Sequence, residues 1–256
     1  MTPSILSLQG RTALVTGASS GLGRHFARVL AEAGARVAVA ARRKDRLDEL
    51  VGEIKGKGGD AIAVPLDVTD PASVRSAFDA AEAALGPVSV LINNAGVPSN
   101  TFFSKLTEQD WRSVLDVNLD GVFRVGQEAA RRMSAAGNGG SIVNVASVLG
   151  LGVLKAVAPY AASKAAVIQL TKSMALELAR DKIRVNALAP GYVVTELNEG
   201  FLTSEGGRKL LSRIPFGRAA DPSELDGALL LLASDAGSFI TGTVLVVDGG
   251  ALLSMG

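Results

Sequence analysis

Residues 12–35 read TALVTGASSGLGRHFARVLAEAGA: a short β-branched run, a turn with glycines at 17, 21 and 23, and then apolar residues at helical spacing. A buried strand passing through a glycine-rich turn into an amphipathic helix is the opening of a βαβ unit. The spacing G-x-x-x-G-x-G differs from the common G-x-G-x-x-G dinucleotide fingerprint, yet it can do the same physical work. Glycines let the backbone turn tightly and approach a pyrophosphate, while the helix N-terminus offers free N–H groups and a positive dipole. Gly17, Ser19, Ser20, Gly21, Leu22 and Gly23 are therefore the first candidate cofactor-binding residues. The bland alternative is a glycine-rich turn with no ligand; the strand before it and the helix after it favour binding.

The alternation continues outward. RVAVA, AIAVPL, VSVLI, SIVNVAS, IRVNALA and TVLVV read as six more buried strands, and segments near 22–33, 43–55, 71–84, 108–136, 156–179 and 222–234 as helices. This predicts an α/β fold: a single Rossmann-type doubly wound domain over residues 1–256, with a seven-stranded parallel sheet flanked by helices on both faces. Asp70-Pro71 and Asp221-Pro222 each place a capping acid before a proline at the first helical position, and Glu224 completes a capping box. Between Gly191 and Asp221 the rhythm breaks. An insert at about 192–220, with a weak helical pattern near Arg208 to Arg213, follows the sixth strand on the side where such sheets bind ligands.

Composition removes several functions. Lysine and arginine total 26 against 25 acids, so no long-range field points to nucleic acid or a membrane as the main partner. There is no cysteine, which excludes disulfides, a thiolate nucleophile and zinc–sulfur sites. The single histidine, His25, excludes a multi-histidine metal centre, and no metal site is expected. His25 reads as a partly exposed helical residue that no constellation needs, and Trp111 as helix–helix packing. The start MTPSILSLQGR has no basic segment before a long apolar run, and GALLLLA is far short of a membrane span, so the expected location is cytoplasmic.

The second strand ends in AVAARRKDRL, about 20 residues past the last loop glycine, where an NAD-binding site places an acid on the ribose 2′-hydroxyl. Here Ala41, Arg42 and Arg43 stand there. Arginine can pair with a 2′-phosphate that an acid would repel, so NADP(H) is favoured and NAD(H) remains possible. The bland reading of the two arginines is the exposed opening of the next helix. Further on, Tyr160 and Lys164 in YAASK lie one helical turn apart on one face. A free tyrosine titrates near 10, and a neighbouring ammonium favours its phenolate. Such a tyrosine can exchange a proton with a carbonyl or an alcohol without help from histidine.

With these residues in place, the chain resembles the short-chain dehydrogenase/reductase family, as a ketoreductase-like member, over nearly its whole length. The resemblance rests on TGASSGLG at 16–23, LDV at 66–68, NNAG at 93–96, NVASV around Ser147, YAASK, APGYVVTEL from Ala189 and VDGG at 247–250. It implies that Asn118, Ser147, Tyr160 and Lys164 are catalytic, with Ser147 holding the substrate oxygen and Asn118 binding a water that links Lys164 to solvent. It places Asp67 and Val68 at the adenine, and Asn94, Ala95 and Gly96 along the adenosine. Pro190, Gly191, Val193 and Thr195 fall by the nicotinamide, and Tyr160 and Lys164 also touch the cofactor. Many NADP-using members carry a basic residue just before the second glycine; here it is Ser20, which leaves the 2′-phosphate mainly to Arg42.

The implied activity is NADP(H)-dependent interconversion of a ketone and a secondary alcohol. Val97, Pro98, Leu149, Leu154, Tyr192 and the loop after Thr195 form a mostly apolar candidate substrate lining. Competing readings are an NAD(H)-dependent alcohol dehydrogenase of the same family, a nucleotide-sugar epimerase, which usually needs a larger C-terminal domain, and a catalytically silent nucleotide sensor, which would often have lost the tyrosine or lysine. Apolar positions beyond one stripe on the 108–136 and 156–179 helices, with the family habit of pairing them, predict a homotetramer, a dimer second.

Overall fold

The computed structural model describes residues 4–196 and 198–254. Seven strands, β1 (Thr12–Thr16), β2 (Arg36–Ala41), β3 (Asp60–Pro65), β4 (Val90–Asn93), β5 (Gly140–Val145), β6 (Ile183–Pro190) and β7 (Val244–Val247), form one parallel sheet in the order β3-β2-β1-β4-β5-β6-β7. The chain steps outward from β1 to β3, returns to the other side of β1, and steps outward again to β7. That reversal opens a crevice at the C-terminal ends of β1 and β4.

The helices are α1 (Gly21–Glu32), α2 (Lys44–Gly56), α3 (Pro71–Leu85), α4 (Glu108–Leu115), α5 (Gly121–Ala136), α6 (Ala158–Leu178), α7 (Glu199–Leu202), α8 (Glu205–Leu211) and α9 (Asp226–Ala233). Alternation along β1 sends its side chains to two cores. Ala13 and Val15 pack with Phe26 and Leu30 of α1, Leu47 and Leu50 of α2, and Leu229 and Leu232 of α9. Leu14 packs on the opposite face with Phe78 of α3 and Val125 and Met133 of α5. Each fully buried Leu or Phe stabilises the fold by about 1.5–3 kcal/mol.

Asp70 accepts a hydrogen bond from the Ala72 amide at 2.8 Å, as its place before Pro71 predicted. Asp221 and Glu224 form the expected capping box, although the turn that they start, Pro222–Leu225, is 3₁₀ and becomes α-helical only at Asp226.

Three other expectations need correction. β7 reads as a buried strand, but all four of its residues are partly exposed, because it is an edge strand with one neighbour. The helix expected over 108–136 is interrupted by a wide π turn at Asp116–Asp120. Strand β5 stops at Val145, so Ser147 caps a 3₁₀ turn, Val148–Gly150, instead of ending the strand.

The insert is closed at its base. The Val194 amide donates to the Ala220 carbonyl at 2.9 Å, and the Ala220 amide to the Tyr192 carbonyl at 2.8 Å. Its helical segment begins at Glu205 and ends at Leu211, with a further turn at α7. Leu202 and Ile214 are buried, so the insert folds onto the domain as a packed cover. Among the described residues no helix is long and apolar enough to cross a membrane.

Candidate active site

The glycine turn after β1 lies across the ends of β2 and β4. The Ala18 amide donates to the Ala40 carbonyl at 3.1 Å. The buried Thr16 hydroxyl accepts from both the Asn94 and Ala95 amides at 2.9 Å, and the Asn94 side-chain amide donates to the Thr16 carbonyl at 3.0 Å. Packing is tightest at Gly23, where a Cβ would lie 2.5 Å from Asn94 Nδ2 and would also meet the Gly17 carbonyl. At the N-terminus of α1, Ser20 makes no side-chain cap, and no acid occupies the first turn. The helix-end N–H groups are thus left for an anion, and these residues fit the pyrophosphate of a dinucleotide.

Farther along the same edge, Asp67 accepts from the Thr69 hydroxyl at 2.7 Å and its amide at 2.9 Å. These bonds, and the charge of Arg42 after them, hold its carboxyl below the ordinary aspartate value. Val68 is buried beside it. Arg42 and Arg43 are both exposed, and Arg43, the extended residue before α2, folds back onto the glycine turn. Its Nη2 donates to Ser19 Oγ at 3.0 Å and to Ser20 Oγ at 2.9 Å.

The second group of residues gathers past the ends of β4 and β5. Lys164 is 3% exposed; its Nζ donates to the Val145 carbonyl at 2.7 Å and lies 5.6 Å from the centre of the Tyr160 ring. The Ser147 hydroxyl stands near enough to the Tyr160 phenol to act on it, and it accepts from the Leu149 amide at 3.1 Å. Gly150 makes this closeness possible: a Cβ there would sit 2.8 Å from the Lys164 carbonyl carbon and 2.9 Å from Ile168 Cδ1. The wide turn buries Asn118 completely. Its Oδ1 accepts from the Val97 amide at 2.8 Å and its Nδ2 donates to the Val97 carbonyl at 2.9 Å. Both side-chain atoms thus clamp the strand of chain after Gly96. A Cβ on Gly96 would lie 3.4 Å from Asn118 Oδ1 and 3.7 Å from Lys164 Nζ, so the three residues converge.

Burial governs the electrostatics. It lowers the Lys164 ammonium from 10.5 to about 8. It raises the Tyr160 phenol above 10, with the Ser147 hydroxyl pulling it partly back. The sequence suggests a phenol lowered by the lysine, but in the chain by itself desolvation prevails.

At the end of β6, Gly191 presses on Asp248, which a Cβ would meet at 2.8 Å, and Val193 is buried in the bridge to Ala220. Pro190 is the last residue of that strand. Thr195 stands beside Gly21, its Cγ2 3.8 Å from where a Cβ would be. The start of the insert therefore faces the glycine turn across the crevice.

The sequence reading missed four supports. Thr16 pins the NNAG segment, and Ser163 donates to the Tyr160 carbonyl at 2.7 Å. Asn198 accepts from the Thr195 amide and donates to the Val193 carbonyl, both at 2.8 Å. Gly150, within a run of alternating glycines, carried the clearest available signal. His25 is partly exposed, and it contacts Asp226 at 2.6 Å, joining α1 to α9 away from the tyrosine. Lys155 is exposed.

A family model described as enoyl-(acyl carrier protein) reductase matches residues 17–251. The chain is 41% identical to 3-oxoacyl-(acyl-carrier-protein) reductase FabG of Thermotoga maritima, over 97% of this chain and 100% of that protein. A solved short-chain type dehydrogenase/reductase from Mycobacterium marinum superposes with a TM-score of 0.92 at 43% identity, covering 96% of this chain and 97% of that one. A gluconate 5-dehydrogenase from Burkholderia cenocepacia, solved with NADP and tartrate, gives 0.93 at 40% identity over 98% of each chain.

Proposed function

The chain belongs to the short-chain dehydrogenase/reductase family of enzymes, and on that premise we propose that it interconverts a ketone and a secondary alcohol with NADP(H). The observation that carries this reading is the grouping of a partly buried Tyr160 with the buried Ser147 and Lys164 at the sheet edge beside the glycine turn. The glycine turn, Asp67 and Asn94 to Gly96 would hold the dinucleotide, with Pro190, Gly191, Val193 and Thr195 on the nicotinamide side. The bound nicotinamide supplies or accepts the hydride.

Ser147 holds the substrate oxygen against the Tyr160 phenol, which stays protonated at neutral pH and donates its proton as the carbonyl is reduced. Lys164 keeps a positive charge close to that phenol. Asn118 fixes Val97 and so the wall opposite the tyrosine. Three solved relatives hold NADP, which supports NADP(H) as the coenzyme.

Loops after β4, β5 and β6 present Phe102, Phe103, Leu151, Val153 and Phe201 to solvent at the same sheet edge. This favours an apolar ketone of modest size. Assembly as a homotetramer of dihedral symmetry is part of the proposal, supported by Leu176 of α6, 81% exposed, and Phe123 of α5, 46% exposed.

The test is NADPH oxidation across a panel of ketones. Tyr160→Phe is expected to lower turnover at least about a hundredfold while NADPH binding stays near wild type. Retention of most activity in that variant would overturn the assignment.

A further inference from the structure

Among the described residues two that are not glycine hold a left-handed backbone, Ala156 at φ 66° and Lys182 at φ 59°. Lys182 ends a 3₁₀ turn, Ala179–Asp181, where that conformation is a common helix stop. Ala156 ends no helix. It lies two residues before α6, and Val157, which opens that helix, makes no side-chain cap. A residue with a Cβ enters this region rarely, so a contact outside the segment must hold Ala156 there. The Ala156 carbonyl accepts from the Thr101 amide at 2.8 Å.

Thr101 and Ala156 belong to different loops. The first follows β4 and carries Val97 and Pro98; Asn118 clamps it at Val97 through both side-chain atoms. The second runs from the turn Val148–Gly150 to α6, carries Leu149 and Leu154, and so joins Ser147 to Tyr160. Gly150 fixes the start of this second loop against Lys164. Among the described residues the Thr101–Ala156 bond is the one backbone hydrogen bond between the two loops. The stretch 98–100 is therefore tied at both ends, to Asn118 and to the chain entering α6. Helical bonding starts directly after, with the Ala161 amide donating to the Val157 carbonyl at 2.9 Å, so Tyr160 sits in the first turn beyond the tie.

We propose that Ala156 is a positioning residue for the reaction assigned above. Its left-handed backbone aims its carbonyl at Thr101, and the bond closes the wall between the two loops. It also sets where the chain enters α6, and hence where Tyr160 stands against the substrate. This role rests on the ketone–alcohol reading, and the Ala156 side chain takes no part in it.

Glycine and asparagine adopt a left-handed backbone readily, so Ala156→Gly and Ala156→Asn are expected to keep wild-type kinetics within about threefold. Valine does not, and Ala156→Val should lower kcat/KM for a ketone found by the panel at least about tenfold. The loss should enter through a raised ketone KM, with the NADPH dissociation constant within about twofold of wild type. Partial unfolding would lower kcat alone, so KM separates a displaced wall from a damaged fold. Hydrogen–deuterium exchange over residues 100–103, read by mass spectrometry, needs no turnover. The Thr101 amide should be protected in wild type and in the glycine and asparagine variants, and exchange at least about tenfold faster in Ala156→Val. Should Ala156→Val fail to fold, Ala156→Gly decides: its Tm should equal or exceed the wild type's, because this backbone favours glycine, and a lower Tm would overturn the proposal. Wild-type kinetics in Ala156→Val, equal losses in the asparagine and valine variants, or Thr101 exchange that is equally fast in all four proteins would overturn it too. If wild type reduces no ketone, the reaction reading fails and the catalytic role of Ala156 with it, while the exchange pattern separately reports whether Ala156 holds Thr101.

Discussion

Replacing Lys164 with methionine should make the protein more stable and inactive. The lysine is buried, and burial alone lowers its ammonium from 10.5 to about 8. At about 1.4 kcal/mol per pKa unit, holding it charged at pH 7 costs the folded state about 3 kcal/mol. Methionine has similar length and loses that cost, but it leaves the Val145 carbonyl without the 2.7 Å bond from Nζ, a loss of about 1–2 kcal/mol. The net expectation is a gain of about 1–2 kcal/mol, or about 2–8 °C in Tm for a chain of this size. The pH sign follows from linkage. Between about 8 and 10.5 the unfolded chain binds the proton that the folded chain has released, so the wild type's stability rises relative to the variant's as pH climbs through that window. Urea denaturation of both proteins without coenzyme, at one protein concentration and at pH 7 and 10, measures this. Methionine should lead at pH 7 and lose that lead by pH 10. A variant less stable at pH 7, or a difference that ignores pH, would refute the argument that desolvation dominates at this lysine.

Two further outcomes are expected. Because burial lifts the Tyr160 phenol above 10 and leaves Lys164 charged below about 8, kcat for ketone reduction should hold steady from pH 6 to about 8 and fall above it; a loss centred near 6.5 would point to a histidine-like group instead. Light scattering at micromolar concentration should give a tetramer mass, and a monomer there would count against the exposed faces of α5 and α6 as subunit contacts.

The strands were legible because buried parallel strands are continuous β-branched runs, and TALVT, RVAVA and IRVNALA have no other comfortable home. The same feature misleads at β7. An apolar run reads alike in the middle and at the edge of a sheet, and only the strand order shows that TVLVV has one neighbour. The wide turn at Asp116–Asp120 was not legible, because one extra residue in a helical turn leaves no trace in composition or spacing. Yet that turn aims Asn118 at Val97. At the end of β2 the sequence offers two adjacent arginines, and adjacent residues at a strand end point to opposite sides. Which of them meets the glycine turn depends on the backbone of residue 43, and the sequence does not record that.

Burial moves the two central groups in opposite directions, Tyr160 up and Lys164 down, and on the proposed reading this bears on proton transfer. A phenol that stays neutral near pH 7 is ready to give a proton to a carbonyl oxygen. As a base toward an alcohol it must first lose its own proton, which costs more at this partly buried site than in water. Lys164 opposes that cost only while it is itself charged, which its lowered value limits to the region below about 8. On the reading proposed above, the phenol is therefore in its proton-donating form near pH 7, as carbonyl reduction requires, and no histidine is needed. The fixed clamps around the phenol, Gly150 under the Ser147 turn and Ser163 on the Tyr160 carbonyl, hold it in place, so that the proton donation proposed for it would require little rearrangement of the site.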